Sequence, residues 1–147
     1  IARTATDMLA INAEKNSVTL SYDGSHGYIY ANKMMMEELV YNLTDNAIRY
    51  NNKNGSVDVT VKTVDDKVIL RVKDTGIGIP KEHQERIFER FYRVDKSRSK
   101  STGGTGLGLA IVKHIVARNN AQLDMDSEPG KGTDISVTFD AYREDEQ

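Results

Sequence analysis

Residues 103–110 constrain the local fold of this chain more than any other stretch. Their glycines recur at alternate positions, Gly104, Gly106 and Gly108, and run directly into a helical apolar pattern. Glycine lets backbone N–H groups approach a ligand closely, and a helix N-terminus adds a partial positive charge. The stretch therefore predicts a turn into a helix that can cradle an anion such as phosphate. Flexible loops and helix caps also collect glycine, so other residues have to decide between these interpretations.

Size and composition describe one ordinary globular domain. The chain has 147 residues, of which 38% are apolar and 29% charged, and it has no cysteine. A domain of this length buries roughly 70% of its unfolded surface. No apolar run approaches the ~20 residues needed to cross a bilayer, and disulfides and thiolate metal sites are excluded. The net charge of −2 argues against a general nucleic-acid binder, although the basic segment 93–100 is either a solvated loop or a loop that meets polyphosphate.

Hydrophobic periodicity predicts a mixture of helices and short strands. Helices are expected over residues 1–14, 33–50, 81–91 and 106–118. Strands are expected over residues 17–22, 27–31, 57–61, 68–72, 122–127 and 133–141. Runs of strands with a few long helices indicate an α+β fold, a two-layer sandwich in which helices cover one face of a sheet.

A polar stripe runs along the predicted helix 33–50. Asn42, Asn46 and Arg49 stand four and three residues apart, so they share one helix face. Asparagine is a poor helix former because its amide competes for backbone hydrogen bonds. The stripe is therefore either a solvated face or a ligand site, in which an asparagine oxygen binds Mg²⁺.

Asp74 ends an apolar strand just before Gly76 and Gly78. It is either a turn former or the acceptor for the exocyclic amine of a nucleobase, with the bare backbone of the two glycines against the ring. A carboxylate favours adenine, because guanine presents an oxygen at that position. The chain has no GxxxxGK[ST] and neither glycine loop completes GxGxxG, which argues against a P-loop NTPase and a Rossmann domain.

Four blocks in fixed order carry a family resemblance. They are residues 42–50 (NLTDNAIRY), 74–79 (DTGIGI), 88–95 (FERFYRVD) and 104–109 (GTGLGL). Over residues 15–140 the chain resembles the ATP-binding catalytic domain of sensor histidine kinases, whose N, G1, F and G2 boxes these blocks match. The resemblance implies the Bergerat fold, with a mixed, mostly antiparallel sheet, which DNA gyrase, mismatch-repair ATPases and heat-shock chaperones share.

The resemblance also implies roles for individual residues. Asn46 would ligate Mg²⁺, Asn42 would be a polar partner on the phosphate side, and Asp74 would hold the adenine amine. The other implied ATP-binding residues are Arg49, Tyr50, Gly76, Gly78, Ile79, Arg93, Gly104, Thr105, Gly106, Leu107, Gly108 and Thr133. Residues 94–103 would form a lid over the nucleotide. Asn42, Arg49 and Arg93 are the expected catalytic residues, while Thr133 is otherwise a simple strand-initiating residue.

Position 42 bears on whether the phosphate goes to a protein or to water. Hydrolytic members of the resembled superfamily carry a glutamate there, whereas Asn42 cannot accept a proton at pH 7. Glu38 is one further helical turn away, about 6 Å along the axis. A histidine acceptor needs no strong base, because its unperturbed pKa is about 6.5. We therefore expect transfer of the γ-phosphoryl group to histidine; a stand-alone ATPase and a non-catalytic ATP-binding module are the alternatives.

The acceptor histidine is expected on a separate domain. Relatives carry it on a dimeric helical hairpin in a His-Glu-x-x-(Thr or Asn)-Pro context, which none of His26, His83 and His114 shares. Residues 1–14 are thus expected to be a connector from that hairpin, residues 15–141 the ATP-binding domain and residues 142–147 a frayed tail. The expected partners are the hairpin of the same parent protein and a response regulator, but no nucleic acid. We expect a monomeric cytoplasmic domain within a homodimeric, membrane-anchored parent.

Overall fold

The computed structural model describes residues 1–24, 27–89 and 108–142. The helices in these ranges are α1 (Ala2–Met8), α2 (Ala10–Lys15), α3 (Lys33–Arg49), a 3₁₀ turn (Lys81–His83) and α4 (Gly108–Arg118). The strands are β1 (Thr19–Gly24), β2 (Ser56–Val64), β3 (Lys67–Asp74), β4 (Gln122–Glu128) and β5 (Gly132–Asp140). None of the helices in the described ranges is both long and apolar enough to span a membrane.

The five strands form one sheet in the order β1-β2-β3-β5-β4. β1 runs parallel to β2, and the other neighbouring pairs are antiparallel. Side chains alternate across β3, where Val68, Leu70 and Val72 are buried between exposed or half-buried neighbours. The predicted mixed, mostly antiparallel sheet is confirmed.

Helices α3 and α4 cover one face of this sheet. The fully buried residues of the core come from both layers, among them Leu39 and Ile48 on α3, Ile115 on α4 and Val137 on β5. The Asn32 side chain caps α3 by accepting a hydrogen bond from the Met35 N–H at 3.1 Å. The opposite face of the sheet carries ion pairs instead, such as Arg71–Asp134 and Lys67–Asp140. This is the predicted two-layer α+β sandwich.

The first two helices belong to the same core. Ala5, Leu9 and Ala13 are 4%, 0% and 2% exposed, and they cluster with the core residues of α3 and β2. Leu9 is also the residue at which the predicted single helix 1–14 divides into α1 and α2. The link from these helices to a preceding hairpin stays a prediction, but their packing makes residues 1–15 part of the domain.

Two predicted elements are wrong. Residues 27–31 form no strand; the Tyr28 carbonyl accepts a hydrogen bond from Tyr142 N–H at 2.6 Å, and the Tyr30 ring stacks on Tyr142. In the described part of 81–91, only the 3₁₀ turn is helical, and residues 84–89 continue as turns and a bend. Mostly i→i+3 hydrogen bonds, such as Gln84 N–H to Lys81, keep this segment tighter than an α-helix.

Candidate functional site: a carboxylate and a glycine loop beside helix α3

Asp74 is the last residue of β3 and is held in place by backbone donors. Its Oδ1 accepts hydrogen bonds from Gly76 N–H at 2.9 Å and from Thr133 N–H at 3.1 Å. Thr133 lies opposite Asp74 in the β3–β5 register, so the pairing of two central strands sets this geometry. Within the described ranges Oδ2 makes no hydrogen bond and is therefore available to a donor of a ligand.

Burial controls the protonation of Asp74. The pKa of this carboxyl is raised above its ordinary value, first because the half-buried group loses water. The hydrogen bonds from Gly76 and Thr133 lower the pKa, and the negative charge of Asp134 raises it again. Desolvation and the Asp134 charge together outweigh the two donors, so this carboxyl is harder to ionise than an exposed one.

The loop after Asp74 lies against the end of α3 and has no room for side chains at its glycines. A Cβ at Gly76 would lie 2.5 Å from the Tyr50 carbonyl oxygen and 2.9 Å from Asp74 Oδ1. Gly78 has a φ of +72°, and a Cβ there would overlap the Glu128 carbonyl. The Ile77 N–H donates to the Tyr50 carbonyl at 3.1 Å. Both glycines are therefore required by close approach of the chain to itself.

Tyr50, Ile79 and Thr133 complete this end of the site. Tyr50 is the C-cap of α3 and reaches the loop through its carbonyl. The Ile79 N–H donates to Ser127 Oγ at 2.8 Å, and the same Oγ lies 2.8 Å from the buried Thr133 Oγ1. The structure thus brings together five predicted residues, Asp74, Gly76, Tyr50, Ile79 and Thr133, through direct contacts or through Ser127.

Asn42 and Gly108 meet about two helical turns before Tyr50 along α3. The Asn42 Nδ2 donates to the Glu38 carbonyl at 2.7 Å, and a Cβ on Gly108 would lie 3.2 Å from Asn42 Oδ1. The Asn42 oxygen therefore lies beside Gly108, the first residue of α4, and the dipole of a helix favours an anion at its N-terminus.

Asn46 lies one helical turn beyond Asn42 and is half-buried. Its amide makes no hydrogen bond to any described residue. An amide oxygen is a hard ligand of the type that Mg²⁺ accepts beside waters and substrate phosphates, so the residue fits the ion that the family implies. Elsewhere in the described ranges, no three His, Cys, Asp or Glu side chains group as a metal site.

Arg49 has a neighbour that sequence analysis did not anticipate. Its Nε donates to Asp45 Oδ2 at 2.7 Å, and both side chains are largely buried, with 29% and 17% exposure. This ion pair between residues one helical turn apart orients the guanidinium along α3. The predicted contact of Arg49 with phosphate stays a prediction.

Several predicted residues lie outside the described ranges. They are Arg93, Gly104, Thr105, Gly106 and Leu107, and the lid 94–103 lies outside as well. Their assignments stay predictions.

Sequence analysis missed three polar residues that shape the site. Asn51 is 6% exposed, and its amide donates to the Ser56 carbonyl at 2.9 Å and accepts from Asn52 N–H. Ser127 and Gln84 hold the backbone of Ile79. Only the run of asparagines around Asn51 carries a sequence signal, since such a run is typical of a turn after a helix; Ser127 and Gln84 stand in ordinary polar contexts.

The fold and site define a nucleotide-binding class, and a family model identifies it. The chain belongs to the histidine kinase-, DNA gyrase B-, and HSP90-like ATPases, whose model matches residues 31–143. Among solved structures, full-length ShkA in complex with AMPPNP is similar, with a TM-score of 0.80 and 25% identity. That match covers 95% of this chain and 29% of the ShkA chain.

Relatives narrow the class to sensor kinases. The chain is 37% identical over 147 residues to the sensor-like histidine kinase SenX3 of Mycolicibacterium smegmatis, which is 99% of this chain and 38% of SenX3. It is 48% identical over 127 residues to the sensor histidine kinase RppB of Synechocystis sp., which is 85% of this chain and 28% of RppB. The predicted membership in the ATP-binding catalytic domains of sensor histidine kinases is confirmed. The chain spans well under half the length of these two relatives.

Proposed function

We propose that this domain binds Mg-ATP and, within its parent protein, transfers the γ-phosphoryl group to a histidine on a separate dimerisation hairpin. A response-regulator aspartate would then receive the phosphoryl group. The observation that carries this proposal is the Asp74 carboxylate, since one oxygen is fixed by two backbone donors while the other has no partner in the described ranges.

Asp74 selects adenine in this proposal. Its Oδ2 accepts a hydrogen bond from the exocyclic amine of the base, and Gly76, Gly78 and Ile79 form the adjoining loop. Thr133 and Tyr50 flank the carboxylate, the first through its backbone N–H and the second through the loop that its carbonyl anchors. A guanine would place an oxygen against the carboxylate, which is repulsive.

The phosphates lie toward Asn42 and the start of α4 in this proposal. Because Gly108 has no Cβ, the first residue of α4 approaches the Asn42 oxygen closely, and a helix N-terminus is a favourable place for negative charge. Asn46 would hold Mg²⁺, which when bound neutralises phosphate charge. Arg49 and Arg93 would supply further positive charge, and Gly104, Thr105, Gly106 and Leu107 the remaining backbone donors.

The acidic groups of α3 favour transfer over hydrolysis. Asp45 is the acidic residue of the block 42–50, and its Oδ2 is paired with Arg49 Nε at 2.7 Å. Glu38 is exposed and lies one turn before Asn42, whose amide is neutral and donates to the Glu38 carbonyl. A water molecule near the phosphates would thus find no free carboxylate on residues 42–50, whereas a histidine brings its own lone pair.

The parent protein in this proposal is a membrane-anchored homodimer. Its hairpin, a response regulator and this domain act in sequence, with no nucleic acid involved. The names of the relatives support a sensor kinase, and dimerisation and anchoring would reside outside the chain described above.

Labelled phosphate transfer tests the proposal. The chain is incubated with γ-labelled Mg-ATP, alone and with the histidine hairpin of the parent supplied in trans. Transfer predicts stable label on the hairpin, no label on the chain alone, and less label on the hairpin with Asp74→Asn when the ATP concentration is below the Kd of the variant. Rapid phosphate release without the hairpin would instead identify a stand-alone ATPase. Tight Mg-ATP binding with neither product would identify a non-catalytic module.

A further inference from the structure

We infer that Ser127 and Gln84 are positioning residues for nucleotide binding, because together they clamp the backbone of Ile79 in the loop beside Asp74. The inference rests on the proposed function, since it assigns these two side chains to the same adenine site. Neither residue lies in any of the four motif blocks.

The loop needs such support because its backbone has no strand or helix ladder. Residues 77–80 belong to no regular element, and Gly78 adopts the left-handed conformation. Half-buried backbone groups in such a loop require partners from side chains or water. The structure supplies them to Ile79 on both sides of the residue.

Ser127 holds the N–H side. It stands on β4, opposite Thr133 in the β4–β5 register, and its Oγ accepts from Ile79 N–H at 2.8 Å. The same Oγ lies 2.8 Å from Thr133 Oγ1 and 3.2 Å from the Gly132 carbonyl. Since Thr133 N–H donates to Asp74, one hydroxyl connects the glycine loop with the strand that fixes the carboxylate.

Gln84 holds the carbonyl side. Its Nε2 donates to the Ile79 carbonyl at 2.9 Å and to the Ser127 carbonyl at 3.1 Å. Both amide protons are therefore used, one on the loop and one on β4. The turn segment after Pro80 thus ties the loop and the strand to each other.

The proton count at Ser127 leaves Thr133 adjustable. The Ser127 hydroxyl has one proton, and Ile79 N–H occupies one of its lone pairs. If Ser127 donates to the Gly132 carbonyl, the Thr133 hydroxyl donates to Ser127 Oγ. If Ser127 instead donates to Thr133 Oγ1, the Thr133 hydroxyl keeps its proton and can donate it to another acceptor. The clamp can therefore present Thr133 to a bound nucleotide as an acceptor or as a donor, while Ile79 stays fixed.

Binding measurements on single variants test the clamp. Titration calorimetry compares Mg-ATP affinity of the wild-type chain with Ser127→Ala and Gln84→Met. Each variant is expected to bind about 5- to 10-fold more weakly, as for loss of one or two neutral hydrogen bonds. Ser127→Thr keeps the hydroxyl and should bind within about 2-fold of wild type. The matched controls, Ser136→Ala on β5 and Gln122→Met on β4, lie away from the loop and should leave affinity unchanged.

Hydrogen exchange supplies a second readout. The Ile79 N–H should lose protection in Ser127→Ala and keep it in Ser136→Ala. Unchanged affinity in both Ser127→Ala and Gln84→Met, or equal weakening in the controls, would overturn the clamp. If Ser127→Ala does not fold, Gln84→Met decides by affinity alone. A wild-type chain that fails to bind Mg-ATP would overturn the proposed function instead, which separates the two failures.

Discussion

Replacing Asp74 by asparagine changes one oxygen to an NH₂ group, and we expect it to affect nucleotide binding and folding stability in opposite directions. The asparagine side chain keeps an Oδ1 that can accept from Gly76 N–H and Thr133 N–H, so the two internal hydrogen bonds survive. It places an NH₂ donor where the carboxylate Oδ2 would face the adenine amine. Loss of a hydrogen bond to a charged group costs about 1.5–3 kcal/mol, so Mg-ATP affinity should fall by about 10- to 150-fold.

The same substitution should have the opposite effect on folding. The pKa of Asp74 is raised above 3.8 by burial, so the folded protein holds this proton more tightly than the unfolded chain. Asp74 therefore contributes fully to stability at a pH below its pKa in the unfolded chain, and this contribution is lost as the pH rises through its pKa in the folded protein. Asparagine does not ionise, and the stability of the variant relative to wild type should therefore increase from low pH to neutral pH.

Calorimetry and urea unfolding measure the two effects. Mg-ATP binding is titrated at about pH 7.5, and the free energy of unfolding of both proteins is followed from about pH 7.5 down to about pH 4. The reasoning is refuted if the variant binds Mg-ATP as tightly as wild type. It is also refuted if the stability difference moves in favour of wild type as the pH rises.

Three further changes test the packing around the site. Thr44→Val should stabilise the domain by about 1 kcal/mol in urea unfolding, because the buried Thr44 hydroxyl has no partner in the described ranges; destabilisation would contradict this. Gly132→Ala should cost about 2–4 kcal/mol, because φ is +126° and the new Cβ would overlap the Asp74 carbonyl. The matched Gly130→Ala, with a φ of +80° and open space, should cost only about 1 kcal/mol, and equal costs would refute the steric argument. Leu9→Ala should cost about 2–5 kcal/mol, since Leu9 is 0% exposed; a loss under about 1 kcal/mol would show that α1 and α2 are dispensable to the core.

Local patterns account for the elements that sequence analysis predicted well. The alternation in β2 and β3 and the helical spacing in α3 and α4 reflect one buried face each, and such periodicity is visible in any short window. Residues 27–31 misled the same method. Tyr28, Ile29 and Tyr30 are residue types that favour strands, but both tyrosines are exposed and the segment bonds to Tyr142 instead of a sheet neighbour.

The helix predicted over residues 81–91 was wrong for a different reason. The composition of this segment suits a helix, yet Gln84 is engaged by the Ile79 and Ser127 carbonyls, and the backbone turns tightly around it. Tertiary hydrogen bonds of this kind override a local helix preference. Local spacing also did not reveal the ion pair of Arg49 with Asp45, while the ATP-binding role that the resemblance implies for Arg49 stays a prediction.

The class of this domain follows from the amino-acid sequence alone, because four blocks of specific residues stand in fixed order and each can be recognised without knowing its contacts. The sequence also indicated Asp74 and Thr133 one at a time. The tertiary structure brings these two residues together although they are 59 positions apart in the chain. It also revealed Ser127, which accepts a hydrogen bond from Ile79, 48 positions earlier. The contact between Asp74 and Thr133 depends on the pairing of β3 with β5, which are not consecutive along the chain, and a local pattern does not specify which distant strand becomes the neighbour.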